Sequence, residues 1–158
     1  MESTQKAIDM KINSEDEFHN ILQDMYDVEE CFEGMHSWVG SVLSEEYREL
    51  LTILADDSNE HRKRLDTLIS KIDGFKLKEK RKNKLDFKED LEDKTILNLI
   101  LENDHSALYN YSILKTKVDK EFLSKIMDEK DIPDYYETLD SIIEDELKHI
   151  KMLRTALE

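Results

Sequence analysis

Apolar residues recur along this chain every three or four positions, the spacing that places side chains on one face of an α-helix. The clearest stripe lies near the C-terminal end and contains Tyr135, Leu139, Ile142, Leu153 and Leu157. Asp131 and Pro133 precede it, as is typical of a helix start. The pattern predicts a long amphipathic helix with one face towards a core.

Two positions in this stripe are polar and hold Glu146 and His149. Three residues of helix rise ~4.5 Å and return to nearly the same face, so both side chains can reach one metal ion. An inward Glu-x-x-His pair is the recurring element of di-metal sites in four-helix bundles. Such pairs also occur on solvated helix faces, so this one needs polar partners on the other helices.

Two earlier stripes predict a helical hairpin. The first helix starts at Asn13 or Ser14, and its inner stripe includes Glu29 and His36. For His36 the alternative is an ordinary core histidine. For Glu29 the alternative is a small rotation of the helix that turns the carboxylate into solvent.

The second predicted helix follows almost at once, because Ser44 is a favourable N-cap residue, and it ends at Asp73-Gly74. Its stripe carries Ser58 and His61, which repeat the spacing of the C-terminal pair with serine in the carboxylate place. The short connection predicts that the two helices are antiparallel.

The third predicted helix starts near Lys94 and is apolar on more than one side. We place its inner face on Glu102, His105 and Tyr109. A second stripe, expected to lie outside the core, consists of Ile96, Ile100, Ala107, Leu114 and Val118. The alternative for Glu102 and His105 is that they face a partner subunit.

The segment from about Phe75 to Lys94 is highly charged, and we interpret it as a solvated crossover rather than a ligand patch. Two helical hairpins joined by a long crossover form an all-α, antiparallel four-helix bundle of the ferritin-like arrangement. We expect one such domain over residues 1–158.

Composition narrows the classes of function. A net charge of −15 argues against binding to nucleic acid or to anionic membranes. No apolar run approaches the ~20 residues that span a bilayer. The single cysteine, Cys31, excludes an internal disulfide framework, and a reducing cytoplasmic setting is the simplest interpretation.

The predicted inner faces collect the side chains of Glu29, His36, Ser58, His61, Glu102, His105, Glu146 and His149. Three buried carboxylates in one core need cations or protons to be tolerated. A divalent metal bound by glutamate oxygen and histidine nitrogen supplies that compensation, and this donor mixture suits iron, manganese or zinc.

With these motifs in this order, nearly the whole chain resembles the rubrerythrin branch of the ferritin-like di-iron carboxylate family. That family has Glu, Glu-x-x-His, Glu and Glu-x-x-His on its four helices in turn. The matching metal-ligand positions here are Glu29, Ser58 with His61, Glu102, and Glu146 with His149.

The resemblance also implies roles around the metal. Asp57 and Asp145, which precede the two motifs, correspond to acceptors for the histidine of the opposite helix. A tyrosine often follows the first and third ligands by seven residues, and these places hold His36 and Tyr109. An extra glutamate follows the third ligand by three residues, and His105 stands there.

The resemblance implies a non-haem protein with one or two iron ions that reduces peroxide or oxygen. The rubredoxin module of full-length rubrerythrins is not in this sequence, so the electron donor would be a separate protein. Because Ser58 removes a bridging carboxylate, the alternatives are metal binding or iron storage without turnover, or a metal-free bundle that acts as an interaction module.

The second stripe of the third helix predicts association. Leaving Ile96, Ile100, Leu114 and Val118 in water would forgo roughly 1.5–3 kcal/mol each. We therefore expect a homodimer across this helix, in which the long crossover also permits exchange of helix pairs.

Overall fold

The computed structural model describes residues 11–34, 44–78 and 91–158. Within them, four long helices are α1 (Glu15–Gly34), α2 (Glu45–Ser70), α3 (Asp93–Thr116) and α5 (Ile132–Leu157). A short helix α4 (Lys120–Ser124) and a 3-10 turn (Glu129–Asp131) join α3 to α5. The four long helices are the predicted ones, and the architecture is the predicted all-α, ferritin-like bundle. No described helix is long and apolar enough to cross a membrane.

Local sequence accounts for the helix starts. The Ser14 hydroxyl accepts a hydrogen bond from the backbone N–H of Glu17 at 3.3 Å, and the first turn of α1 is acidic. Asp119 caps α4 in the same way, with its carboxylate 2.8 Å from the backbone N of Phe122. Proline lies in the first turn of α5, where its missing N–H removes no helical hydrogen bond.

The four long helices form a ring in which α1 packs on α2, α2 on α5, α5 on α3, and α3 on α1. Helices α3 and α5 are antiparallel: the Tyr135 hydroxyl near the start of α5 donates to the Leu114 carbonyl near the end of α3 at 2.6 Å, and Arg154 near the end of α5 lies beside His105 in the middle of α3. The long connection from α2 to α3 was predicted; its residues 79–90 lie outside the described residues. Near its start, the Lys78 backbone N–H donates to the Gln23 side chain on α1 at 2.9 Å.

The core consists of two apolar clusters. One includes Phe18, Leu22, Met25, Leu65, Ala107, Leu114 and Ile142. The other includes Phe32, Leu54, Ala55, Ile96, Ile100 and Leu153. On each of the four helices, the residues between the two clusters carry buried polar side chains. The chain therefore places one polar layer across the middle of the bundle.

The predicted inward face of the third helix is wrong. Ile96, Ile100 and Leu114 are fully buried and Val118 nearly so, whereas Glu102 and His105 are exposed. Burying this aliphatic stripe stabilises the bundle by far more than burying a glutamate, which is costly unless it is paired. Because the stripe is buried within this chain, it no longer supports the homodimer, which stays a prediction without that argument.

Candidate metal centre

The polar layer is built from all four long helices. Glu29 lies on α1, His61 on α2, Asp104 on α3, and Glu146 with His149 on α5. None of these residues exposes more than 8 % of its surface. Five ionisable side chains are thus withdrawn from water at one level, where charge must be balanced by close partners.

A first group of possible metal ligands consists of Glu29, His61 and Glu146, whose ligand atoms all lie within 4.8 Å of one another. His61 Nδ1 is 3.3 Å from Glu29 Oε1 and 3.6 Å from Glu146 Oε1. Two carboxylate oxygens and one imidazole nitrogen therefore converge from three different helices.

A second group consists of Asp104, Glu146 and His149, again within 4.8 Å. His149 Nδ1 lies 3.8 Å from Glu146 Oε2, the oxygen that does not face His61. Glu146 thus belongs to both groups and turns one oxygen towards each histidine. A carboxylate placed in this way can bridge two ions.

Each histidine is held from behind by an aspartate on the other helix of the α2–α5 pair. His61 Nε2 lies 2.9 Å from Asp145 Oδ2, and His149 Nε2 lies 2.7 Å from Asp57 Oδ2. When Nε2–H donates to the aspartate, Nδ1 carries the lone pair and faces the layer. These are the cross-helix partners that the resemblance implied.

Tyr111 on α3 completes the surroundings of Glu29. Its hydroxyl is fully buried and donates to Glu29 Oε1 at 2.9 Å. Burial, reinforced by the negative charges of Glu29 and Glu146, raises the pKa of Tyr111 well above its usual value, so the hydroxyl keeps its proton.

The pKa values of the two histidines are set by opposing effects. Burial alone would lower the pKa of His61, but contacts with Glu146, Glu29 and Asp145 raise it to about 11. Burial likewise opposes the protonated form of His149, and contacts with Glu146 and Asp57 raise its pKa to about 9. Without metal, both imidazoles are therefore protonated at neutral pH.

The carboxylates divide into two kinds. Burial raises the pKa of Glu29 and raises that of Asp104 well above its usual value, with the charge of Glu146 adding to both shifts. For Glu146 burial acts in the same direction, but the contacts with His149 and His61 outweigh it and lower the pKa. In the metal-free layer the two protonated imidazoles thus stabilise the ionised form of Glu146.

Two buried oxygens of the described layer have no hydrogen-bond partner, Asp104 Oδ2 and Glu146 Oε2. Leaving such an atom unsatisfied costs about 1–3 kcal/mol. A bound cation would satisfy both, and oxygen and imidazole donors suit iron, manganese or zinc. The residues present therefore fit a metal centre.

Several residues predicted for the site lie elsewhere. Glu102 and His105 are on the exposed side of α3, where His105 Nε2 is 3.3 Å from Arg154 Nη2. Tyr109 is 68 % exposed. Glu102 and Tyr109 belong to the face of α3 that was predicted to be inward and that the structure exposes, so neither side chain reaches the layer. His36 lies outside the described residues.

The sequence reasoning missed Asp104 and Tyr111. Both follow from a shift of the inner face of α3 by two residues, which rotates a helix by about 200°. A usable signal was present: Tyr111 follows Asp104 by seven residues, the spacing at which the family often places a tyrosine after its third ligand. In the corrected register, the place three residues after the third ligand holds Ala107 and not His105.

Ser58 is 8 % exposed and precedes His61 by three residues on the buried face of α2. It therefore lies in the layer, as predicted, with a hydroxyl at the position that carries a carboxylate on α5. Serine therefore replaces the glutamate of the Glu-x-x-His pattern on the buried face of α2, and this difference does not come from a wrongly predicted inner face.

In a comparison with known protein families, residues 41–157 match the family described as Rubrerythrin. That range includes α2, α3 and α5, and hence both groups of possible ligands except Glu29. The inclusion of Glu29 is based on geometry alone. Searches of the curated proteins and of the solved structures returned no match.

Proposed function

The chain belongs to the rubrerythrin family, and we propose that its polar layer holds two iron ions for the reduction of peroxide or oxygen. The observation that carries the proposal is the position of Glu146, shared between two buried groups that each contain one histidine. Carboxylate and imidazole groups are the ligands of di-iron sites in this class of bundle.

Each ion would have its own ligands besides the shared one. Glu29 and His61 would hold the first, Asp104 and His149 the second, and Glu146 would touch both. Bound iron supplies the redox change. Asp57 and Asp145 orient the imidazoles, and such partners typically contribute 10–100-fold to metal affinity.

The chain's own residues would control protons and water around this chemistry. Reduction of peroxide to water consumes two electrons and two protons. The Tyr111 hydroxyl, whose oxygen is 2.9 Å from Glu29 Oε1, holds a proton inside the layer, and the apolar clusters on either side keep bulk water away. The electrons would come from a separate donor protein.

A second candidate function is metal binding or storage without turnover, and Ser58 favours it. A hydroxyl cannot bridge two cations as a glutamate does, so the second ion would be held less firmly. The metal-free bundle is the third possibility, because protonated imidazoles can also balance the carboxylates.

The first experiment measures metal per chain in protein prepared without chelator, with Glu146→Gln and Glu102→Gln as a matched pair. Both variants remove one carboxylate charge, but only Glu146 lies in the layer. We expect Glu146→Gln to lose most of its iron and Glu102→Gln to keep the wild-type content. Equal iron in the two variants would refute this site.

The second experiment separates the enzyme from the store. The anaerobically reduced, iron-loaded protein is mixed with peroxide, and oxidation is followed by absorbance over repeated additions with an artificial reductant. Repeated turnover supports the oxidoreductase. A single oxidation without turnover supports storage, and protein without iron supports the metal-free bundle.

A further inference from the structure

Helices α2 and α5 carry the same pattern of residue positions where they face the layer. Each carries an aspartate, then the ligand position, then a histidine three residues later: Asp57, Ser58 and His61 on α2, and Asp145, Glu146 and His149 on α5. The hydrogen bonds are reciprocal, because the aspartate of each helix contacts the histidine of the other. The pair therefore has an approximate two-fold relation in which Ser58 corresponds to Glu146.

This relation identifies what the layer lacks. Glu146 turns one oxygen towards His61 and the other towards His149. A glutamate at position 58 would do the same from the opposite side. Serine ends at a hydroxyl, whereas glutamate continues past its β-carbon with a methylene and a carboxylate, which together have the atoms of an acetate group.

Charge points to the same deficiency. The ligand groups contain three carboxylates, which balance three of the four positive charges of two divalent cations; Asp57 and Asp145 add negative charge only behind the imidazoles, where both are partly exposed to solvent. In a buried site such an excess is costly. A single external monoanion would remove it, and the site is not far from solvent, since the Asp57 side chain next to Ser58 is 39 % exposed.

We propose that Ser58 leaves an open bridging position opposite Glu146, and that a small external carboxylate of formate or acetate size binds there with the second metal ion. The inference rests on the proposed metal centre. It assigns this chain a ligand-dependent metal site, in which metal and carboxylate bind cooperatively and each raises the affinity of the other by the same factor.

The test is anaerobic equilibrium dialysis of the full metal-free chain against iron(II), in acetate and in chloride at equal ionic strength. At acetate concentrations of ten times its dissociation constant from the loaded site, linkage tightens the second ion about tenfold. Trimethylacetate is the control anion, because it has the same charge and a similar basicity but is too bulky for a buried position. Acetate that only complexed free iron would weaken binding instead.

Two variants locate the effect. Ser58→Glu supplies the carboxylate itself, so it should bind two ions in chloride and lose its response to acetate. Ser58→Ala keeps the position open, so it should retain the response, and it stays informative if the glutamate variant fails to fold. A wild-type protein that binds iron equally in acetate, trimethylacetate and chloride would overturn the inference while leaving the metal centre intact.

The remaining outcomes are also decisive. An acetate response that persists in Ser58→Glu places the anion elsewhere and overturns the inference. Iron absent from the wild type and all variants, in every anion, refutes the proposed metal centre and with it the bridging position.

Discussion

Metal binding to this protein should become tighter as the pH rises, because the two imidazoles that face the layer are protonated without metal. A metal ion needs the neutral nitrogen, so each ion that binds at Nδ1 displaces one proton. The pKa of His61 is raised to about 11 and that of His149 to about 9, chiefly by Glu146, against the effect of burial. The sign follows directly: higher pH removes the competing proton.

The magnitude can be worked from these values. Below about pH 9, both imidazoles are mostly protonated, so the affinity for each ion should rise about tenfold per pH unit. From pH 6.5 to 8.5 that is about 100-fold for each ion. Protons on Asp104 and Glu29, whose pKa values are also raised by burial, can only add to this dependence.

Manganese(II) is a suitable probe, because the EPR signal of the free ion counts what remains unbound. Titrations at half-unit steps of pH give the slope, and calorimetry in buffers of different ionisation enthalpy gives the protons released. We expect at least one proton per ion. Affinity that stays constant from pH 6.5 to 8.5, with no proton release, would refute the protonated layer.

Stability of the metal-free protein supplies an independent check. A histidine whose folded pKa lies above the unfolded value of ~6.5 contributes stability that is present below pH 6.5 and lost as the pH rises towards the folded pKa. His149 loses its contribution by about pH 9, and His61 by about pH 11. The free energy of unfolding should therefore fall between pH 6.5 and 8.5, on the order of 1 kcal/mol per pH unit for each imidazole, whereas excess manganese should remove this fall.

The remaining predictions concern single positions and association. Asp57→Asn should weaken metal binding by about 10–100-fold, since it removes the acceptor 2.7 Å from a ligating imidazole, and the exposed neighbour serves as control in Asp56→Asn. Tyr111→Phe and Tyr135→Phe each remove one buried hydrogen bond and should destabilise the fold by about 1–2 kcal/mol, but only the first should also lower metal affinity, because only its hydroxyl contacts the layer. Sedimentation at micromolar concentration tests the homodimer, and a monomer mass that does not change on dilution would contradict it.

The sequence was sufficient to identify the polar layer on three helices, for a physical reason. In α1, α2 and α5 the apolar stripe is single, so it defines one inner face, and a polar residue in that stripe must lie in the core. Glu29, His61 and His149 were placed inward on this basis, and the structure buries all three. The aspartates that contact His61 and His149 across the bundle were implied by the resemblance to the family and not by the apolar stripes.

Helix α3 could not be treated in the same way, because it is apolar nearly all round. Glu102 and Asp104 are both acidic and only two residues apart. Because α3 has apolar residues on nearly every side, either of them could lie on a predicted inner face. The choice between them depends on contacts that no local pattern contains. Asp104 lies inward because Ile100 and Leu114 fill the core and because the Tyr111 hydroxyl meets a carboxylate on α1.

The corrected register also changes what is unusual about this centre. Two positions where the family carries a glutamate now hold small uncharged residues, Ser58 on α2 and Ala107 on α3, and both are buried. Each loss lowers the negative charge of the layer, so both changes act in the same direction and cannot compensate each other. A centre with this deficit must accept a weaker second ion or take an anion from solution. The two-fold relation between α2 and α5 favours the anion, because Glu146 turns one oxygen towards each histidine and serine holds the corresponding position on α2.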